Sequence, residues 1–523
     1  MEADEALKKG KGDVPNSDVE DGMIAELGYE QAYRRVFKQT ANISLTLATA
    51  SPLSGILVSS YYQILYGGYF GLVWGWLIPC VLYFPFVISV CELCSSMPLN
   101  GATYWWAAAL APPRIARPLS YIAGWLNSFT LVTSLASFAY ATGAGLCVVI
   151  TIIKPELTLS TAEQMGIAMG IVVFWAVLSC LRLEQISFIF ICSAAIVLIT
   201  STLFYIALPA ARAAQGLPFA AAADVFGSYS NYSDWSAAVA VPISFFTCFW
   251  TQTGWYGPAF VAEGTHDAPR VSPKSMVTSF MLTAVIGLGV GIVSAFCIPD
   301  MDTAAADPSG YALYSMLVEN WGQKLAFAFL LVLSINLIFG ACSFLVSSSG
   351  MVAAFARDQG LPFSRHLAHI NPRTSVPLNA MLVLVGGALC LLIFSLSVTA
   401  RSIIYSLAVI ALLLSFSVSV VMRIFTGERF IPGPFYTGRL SLPCHVYSAV
   451  FLSWLIVMEA FPTVQHWDRE TFNYNWVITV GVLLLCGGFW FVWGYKTFQG
   501  IPQESLQAWR ERARGERAHE RGA

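Results

Sequence analysis

Residues 46–58 read Thr46-Leu47-Ala48-Thr49-Ala50-Ser51-Pro52-Leu53-Ser54-Gly55-Ile56-Leu57-Val58, inside a stretch from 39 to 65 that holds no Asp, Glu, Lys or Arg. That stretch exceeds the ~20 apolar residues needed to span a hydrocarbon core about 30 Å thick. Yet at its middle stand a proline without an N–H donor, hydroxyls on both sides and a glycine. A membrane helix can lose backbone hydrogen bonds only where the freed groups are buried in protein or line a cavity. The break therefore marks a built site.

A second break follows at Trp250-Thr251-Gln252-Thr253-Gly254-Trp255-Tyr256-Gly257-Pro258, in the uncharged run 236–262. It lies about 200 residues after the first, and the runs that carry the two breaks start at 39 and 236, nearly the same offset. This predicts two five-helix units. Because five is odd, the second unit enters the membrane from the opposite side, giving an inverted repeat. Interrupted first helices in corresponding positions of such repeats point to a transporter's central site.

The rest of the chain agrees. Of 523 residues 57% are hydrophobic and 11% charged, with a mean hydropathy of +0.66, against about 25% charged in soluble domains. A water-soluble or disordered protein is excluded, and a net charge of −2 indicates no nucleic-acid partner. Twelve long uncharged runs are expected as spans: 39–65, 68–92, 118–151, 165–181, 186–209, 236–262, 276–298, 325–356, 376–398, 402–422, 443–463 and 475–495. The expected fold is an all-α polytopic membrane protein of twelve transmembrane helices, a five-plus-five inverted repeat with two extra C-terminal helices. Its parts are a tail, 1–38, a first repeat, 39–209, a connecting loop, 210–235, a second repeat, 236–422, two last helices, 443–495, and a tail, 496–523.

Charge orients this scheme. With the N-terminus cytoplasmic, 23 of the 28 basic residues fall in inside segments, leaving Lys154, Arg212, Lys324, Arg401 and Arg469 outside. Both termini are expected in the cytoplasm, and the first 38 residues lack the apolar stretch of a cleavable signal peptide. The outside loop 210–235 carries Asn231-Tyr232-Ser233, so Asn231 is a candidate for N-glycosylation.

The candidate substrate site is formed by Ser51, Pro52, Leu53, Ser54 and Gly55 with Thr251, Gln252, Thr253, Gly254, Trp255 and Tyr256. Broken helix ends offer N–H groups to a carboxylate and carbonyls or hydroxyls to an ammonium or cation, and Trp255 and Tyr256 can face a cation with their rings. Ionisable residues inside spans are costly and attract suspicion. Glu92 and Glu263, near the inner ends of their helices, are candidates for gating or proton coupling, whereas Glu459 reads as an interfacial residue on an appended helix. Ser343, Ser347, Ser348 and Ser349 could line an ion site. Twelve cysteines, of which only Cys91 and Cys94 stand at CxxC spacing and without a nearby histidine, and six scattered histidines suggest no metal, cofactor or catalytic centre.

Specific strings then carry a resemblance. Leu27-Gly28-Tyr29 with Arg34, Arg35 and Phe37, Gly71-Leu-Val-Trp74-Gly-Trp76, Cys91-Glu92-Leu-Cys-Ser95-Ser-Met-Pro98-Leu-Asn-Gly101-Ala-Thr-Tyr104-Trp105-Trp106 and Ala354-Phe355-Ala356-Arg357-Asp358-Gln-Gly360-Leu361-Pro362 resemble the amino acid/choline transporter branch, of fungal GABA/choline permease type, of the amino acid-polyamine-organocation superfamily. So do Asn371-Pro372-Arg373 with Pro377, and Phe461-Pro462-Thr463 with Asn473-Tyr474. The resemblance implies a proton-coupled or sodium-independent secondary transporter working by alternating access, with amino acids including GABA as leading substrates. The alternatives are choline, polyamines or other amines and specialised metabolites, and, from a different class, a non-transporting nutrient sensor. An enzyme is not expected. The partners are the small-molecule substrate, protons and the lipid bilayer. The address is the plasma membrane first and the vacuolar membrane second. The chain departs from the family's helix 6 pattern of Gly-Tyr-Asp with a downstream His and paired Glu, placing Trp255, Tyr256, Phe260 and Gly264 at those positions, which favours an amine over a zwitterion.

Overall fold

The computed structural model describes residue 29 and residues 31–157, 159–427, 430–469, 471–502, 506–507 and 511, without the side chains of 398–406. Lys8, Lys9 and Lys11 of the first tail lie outside the described residues, as do Arg429 and the arginines at 510, 512, 514, 517 and 521. Among the described residues the ordered structure is helical, and extended pairing is confined to a single bridge between Phe37 and Thr265.

Ten helical stretches are long and apolar enough to cross a bilayer. The first is split into α1 (Gln39–Ala50) and α2 (Pro52–Ser59). There follow α3 (Tyr69–Ser96), α4 (Pro113–Ile153), α5 (Thr161–Leu178) and α6 (Leu183–Ala214). Then come the shorter α7 (Ala237–Ser244) and α8 (Phe246–Gln252), the long α9 (Ala268–Phe296) and α10 (Ala312–Arg357), and α11 (Leu378–Phe394). The chain ends with α12 (Val398–Thr426), α13 (Ser441–Met458) and α14 (Asn475–Phe489), which runs on through a π-turn to Thr497. The continuous apolar stretches Ala237–Gln252 and Leu378–Phe394 are shorter than the other ten.

The sidedness of the helices is that of a protein whose solvent is hydrocarbon. Val285, Val450, Leu484 and Phe491 are 65%, 68%, 71% and 80% exposed, which in water would make a sticky surface. Conversely, Asn42, Gln63, Glu92, Asn127, Gln252 and Glu263 are buried. The broken first helix is the most enclosed, 89% buried in its apolar window against 22% for α5 and α14, so α1 and α2 form the axis around which the rest is laid. Small residues let backbones meet there. A β-carbon at Gly340 of α10 would lie 2.3 Å from the Ala48 carbonyl oxygen, and one at Gly291 of α9 would lie 2.2 Å from that of Leu72 on α3.

Several helix limits, those of α3, α4, α6 and α9 among them, lie beyond the uncharged runs for one physical reason. Charges near helix ends reach water and do not end a helix. α4 starts at Pro113, a favoured first helical position, and carries Arg114 and Arg117 in its first turns. α10 opens at Ala312, but a non-helical joint at Gly322 (φ 72°, ψ 164°) divides it, so that the segment holding Glu319 is set off from the part that follows, which begins close to the expected 325.

Candidate functional site

Both breaks foreseen from the sequence are present. At the first, Ser51 takes the left-handed conformation (φ 35°, ψ 62°), its N–H still bonds Leu47 O at 2.9 Å and its hydroxyl donates to Ala48 O at 2.7 Å. Pro52 then opens α2 at a position where no N–H is needed. A non-glycine residue held there costs of order 1–3 kcal/mol and persists only where the surroundings impose it. At the second, α8 ends at Gln252 and the chain turns through Thr253 and Gly254, whose φ of +101° is open to glycine alone at little cost. It resumes as one turn, Gly257–Phe260, and a 3₁₀ turn, Ala262–Gly264.

The two breaks face each other across van der Waals contact. A β-carbon on Gly55 would lie 2.8 Å from the Thr251 methyl, and one on Gly254 2.6 Å from the Thr49 methyl. α10 closes the third side. Its Ser343 shares a 2.5 Å hydrogen bond with Thr49, and Ser347 stands 3.6 Å from where a Gly257 β-carbon would be. Ser54 lines a cavity of about 10 Å³ with Thr142, Gly145, Tyr314 and Ser334, room for about one water. Leu53 packs into the apolar core beside Ile56 and Trp76.

Around this junction lie buried polar atoms without a hydrogen-bond partner among the described residues: Thr251 Oγ1, Gln252 Oε1, Tyr256 Oη and Ser348 Oγ. Each such atom costs about 1–3 kcal/mol unless something fills its bonding capacity. Thr253 and Ser347 instead bond their own helical backbones at 3.1 Å, and the Gln252 amide donates to Phe280 O at 3.4 Å. Apart from the Tyr256 phenol the breaks carry no ionisable group, so what they offer is dipoles and hydroxyls rather than charge. Trp255 and Tyr256 meet edge to face at 5.8 Å and are enclosed by other rings. Phe416 lies 6.3 Å from the first and 5.2 Å from the second, and Phe86 and Tyr83 present edges to Trp255 at 5.6 and 6.2 Å.

Glu263 sits below the second break, side chain 1% exposed, where Arg357 at the end of α10 grips it with two bonds of 2.9 and 3.0 Å. Asn100 exchanges bonds with it in both directions, its N–H to Glu263 Oε1 and its Oδ1 from Glu263 N. The chain before α1 straps across this pair. Gln31 donates to Glu263 O at 2.8 Å, the Val36 and Phe37 N–H groups share Gly264 O, and His266 N bonds Phe37 O. Tyr29 lies under the Arg357 guanidinium at 3.9 Å and donates, with Tyr104, to Asp358. Glu92 is equally buried and anchors another crossing, accepting from Thr437 N–H and hydroxyl and from Ser441 at 2.6 Å, with His445 3.8 Å away. At the opposite end Thr247 donates to Ser59 O at 2.7 Å and Tyr66 to Thr463 O at 2.5 Å. Asn231 closes a turn with Ser233 at 2.7 Å and donates its amide to Trp235 O, so a glycan there would replace that bond.

Thr49, Tyr83 and Phe416 also belong to the neighbourhood and were not foreseen, whereas Ser343 was among the serines expected to line an ion site. For Thr49 the signal was there, a hydroxyl just before the break. For Phe416 nothing marks the residue in its apolar run.

The chain matches the family model described as amino acid permease over residues 37–483. It is 29% identical over 501 residues to an uncharacterized amino-acid permease of Schizosaccharomyces pombe, covering 95% of this chain and 90% of that protein. With a GABA-specific permease of Saccharomyces cerevisiae the identity is 28% over 519 residues, covering 94% and 88%. A putative polyamine transporter of Candida albicans is 25% identical over 485 residues, covering 91% and 87%.

Proposed function

The chain belongs to the amino acid permease family, and from that premise we propose that it is a secondary transporter carrying amino acids or amines across a membrane, with GABA-type amino acids as leading substrates. The observation that carries this is the contact of the two helix breaks, Gly55 on Thr251 and Gly254 on Thr49, ringed by buried polar atoms that lack partners. Separation of the breaks would free those hydroxyls and backbone ends for a carboxylate and an ammonium. Alternating access would part Glu263 from Arg357 at one end and the Tyr66 and Thr247 contacts at the other.

In this reading Ala237–Gln252 and Leu378–Phe394 count as crossings with the ten longer helices, making twelve, and 39–209 and 236–422 are inverted halves. Both termini are cytoplasmic, in the plasma membrane, and Asn231 is glycosylated on the outer loop. Glu263 and Glu92 act as inner gate and anchor. The basic-residue asymmetry supports the orientation.

Counterflow in proteoliposomes with radiolabelled GABA, neutral amino acids, choline and spermidine, with and without an inward proton gradient, tests the proposal. Exchange of GABA or another amino acid is expected. Exchange of choline or spermidine alone would favour the second reading, an amine carrier, which the ring enclosure at Trp255 and Tyr256 supports. Exchange of none would overturn both.

A further inference from the structure

A second polar cavity lies at the end of the molecule remote from Glu263. It is lined by Tyr62, Phe246, Glu459, Phe461, Thr463 and Asn473, and encloses about 40 Å³. Glu459 follows the last residue of α13 and is only 9% exposed. Among the described residues nothing donates a hydrogen bond to its carboxylate and no cation pairs with it, although its backbone carbonyl is held by the Asn473 amide at 3.1 Å. This distinguishes it from Glu92 and Glu263, whose oxygens are all engaged. An isolated carboxylate withdrawn from water is costly unless a positive charge joins it.

The walls supply the rest of a cation's requirements. Tyr62 and Phe246 meet at 4.5 Å between ring centres, and an aromatic pair beside a carboxylate is the environment in which an ammonium gains from both charge and ring quadrupole. The loop that closes the cavity is fixed, not slack. Asn473 also donates to Phe461 O at 2.9 Å, Tyr66 to Thr463 O, and Trp235 to Pro462 O at 3.0 Å. A space of about 40 Å³ is room for a few water-sized groups, which suits a primary ammonium head with its tail in solvent and is tight for a trimethylated one.

We propose that Glu459, Tyr62 and Phe246 form an ammonium-binding site separate from the helix breaks, selective for primary over quaternary amines. It rests on the transport reading only for which compartment supplies the amine. Tyr62 follows α2 and Phe246 opens α8, the outer halves of the two broken helices, so an amine bound there braces both at once.

The test is saturable binding of radiolabelled methylammonium to the purified full-length protein by scintillation proximity, at about pH 8 where the amine is charged. Putrescine should displace the label and tetramethylammonium should displace it at least about tenfold less well. Gly254→Leu, which blocks the central junction, should leave binding intact. Glu459→Gln should weaken it about tenfold or more, while Glu459→Asp and Phe246→Leu weaken it less, providing a graded series should the Gln variant fold poorly. Wild-type affinity in Glu459→Gln, loss of binding in Gly254→Leu, or no saturable binding in the wild type would each overturn the proposal. None of these depends on whether counterflow is observed.

Discussion

Arg357 and Glu263, 94 residues apart in the chain, meet through two parallel hydrogen bonds of 2.9 and 3.0 Å, and the arginine's other face rests on the ring of Tyr29. Ion pair, ring and strap thus close one end of the molecule together.

Breaking this pair from one side should be worse than removing it whole. Arg357→Gln leaves the Glu263 charge buried and unpaired, at a cost of about 3–5 kcal/mol, Glu263→Gln leaves a partly exposed guanidinium and should cost less, and the double variant should be less destabilised than Arg357→Gln. Thermal unfolding of all four proteins reads this. Arg357→Lys should not restore the wild type, since lysine lacks the planar fork. Additive losses would mean that the two residues act independently.

Gly55→Ala and Gly254→Ala should both abolish counterflow while the protein still inserts, but they should differ in rescue. Gly55 lies within α2, where the Thr251 methyl at 2.8 Å is the tightest obstacle to a side chain, ahead of Thr251 Oγ1 at 3.1 Å and the Ala50 carbonyl oxygen at 3.3 Å, so Thr251→Ser should recover part of the activity. Gly254 also carries φ +101°, and Thr49→Ser removes the contact but not the backbone strain of about 1–2 kcal/mol. Equal rescue of both would remove the distinction between contact and conformation.

Tyr256→Phe deletes a hydroxyl that has no partner inside the protein. Its melting temperature should be unchanged or slightly raised. If the hydroxyl serves substrate, KM should rise by up to about tenfold, equivalent to roughly 1.4 kcal/mol. A lowered melting temperature with unchanged KM would assign the hydroxyl to packing.

Asp358, one residue beyond α10, should give stability a pH dependence. Burial pushes its carboxyl up to about 6, against the pull of Arg357 and of the Tyr104 and Tyr29 hydroxyls, with Glu263 adding to the rise. A pKa raised on folding means that the folded protein holds the proton more tightly. The contribution is therefore full below the ordinary value near 4 and lost as pH climbs through 6. Relative to wild type, Asp358→Asn should gain up to about 3 kcal/mol between pH ~4 and ~6 and then level off. A difference that stays constant over this range would place the proton elsewhere.

The helix breaks were legible because proline and glycine act on the backbone itself, wherever the chain goes next. The enclosed ionisable residues were visible as anomalies, but their partners were not. Glu263 finds Arg357 across 94 residues, and Glu92 finds Thr437 and Ser441 across some 350, through packing that no local spacing records. Phe416 is one apolar residue among many until α12 lays it on Trp255. The start of α4 lies before the uncharged run because a scan for such runs stops at Arg117 while the helix runs past it, whereas the expected start at 325 falls just after the joint at Gly322. Glu459 was read as interfacial from its position near a helix end, and its enclosure comes from the loop that Asn473 folds back over it.

The strap before α1 adds a mechanical consequence. Val36 and Phe37 are tied to Gly264, and Phe37 to His266, by backbone bonds that side-chain substitution cannot remove. If the Glu263 end opens as proposed, residues 31–37 must either travel with the second broken helix or unzip from it. The segment before α1 would then be a tether on the proposed gate, and a load hung on it, such as a bulky fusion ahead of Tyr29, should slow opening while every residue at the helix breaks stays native.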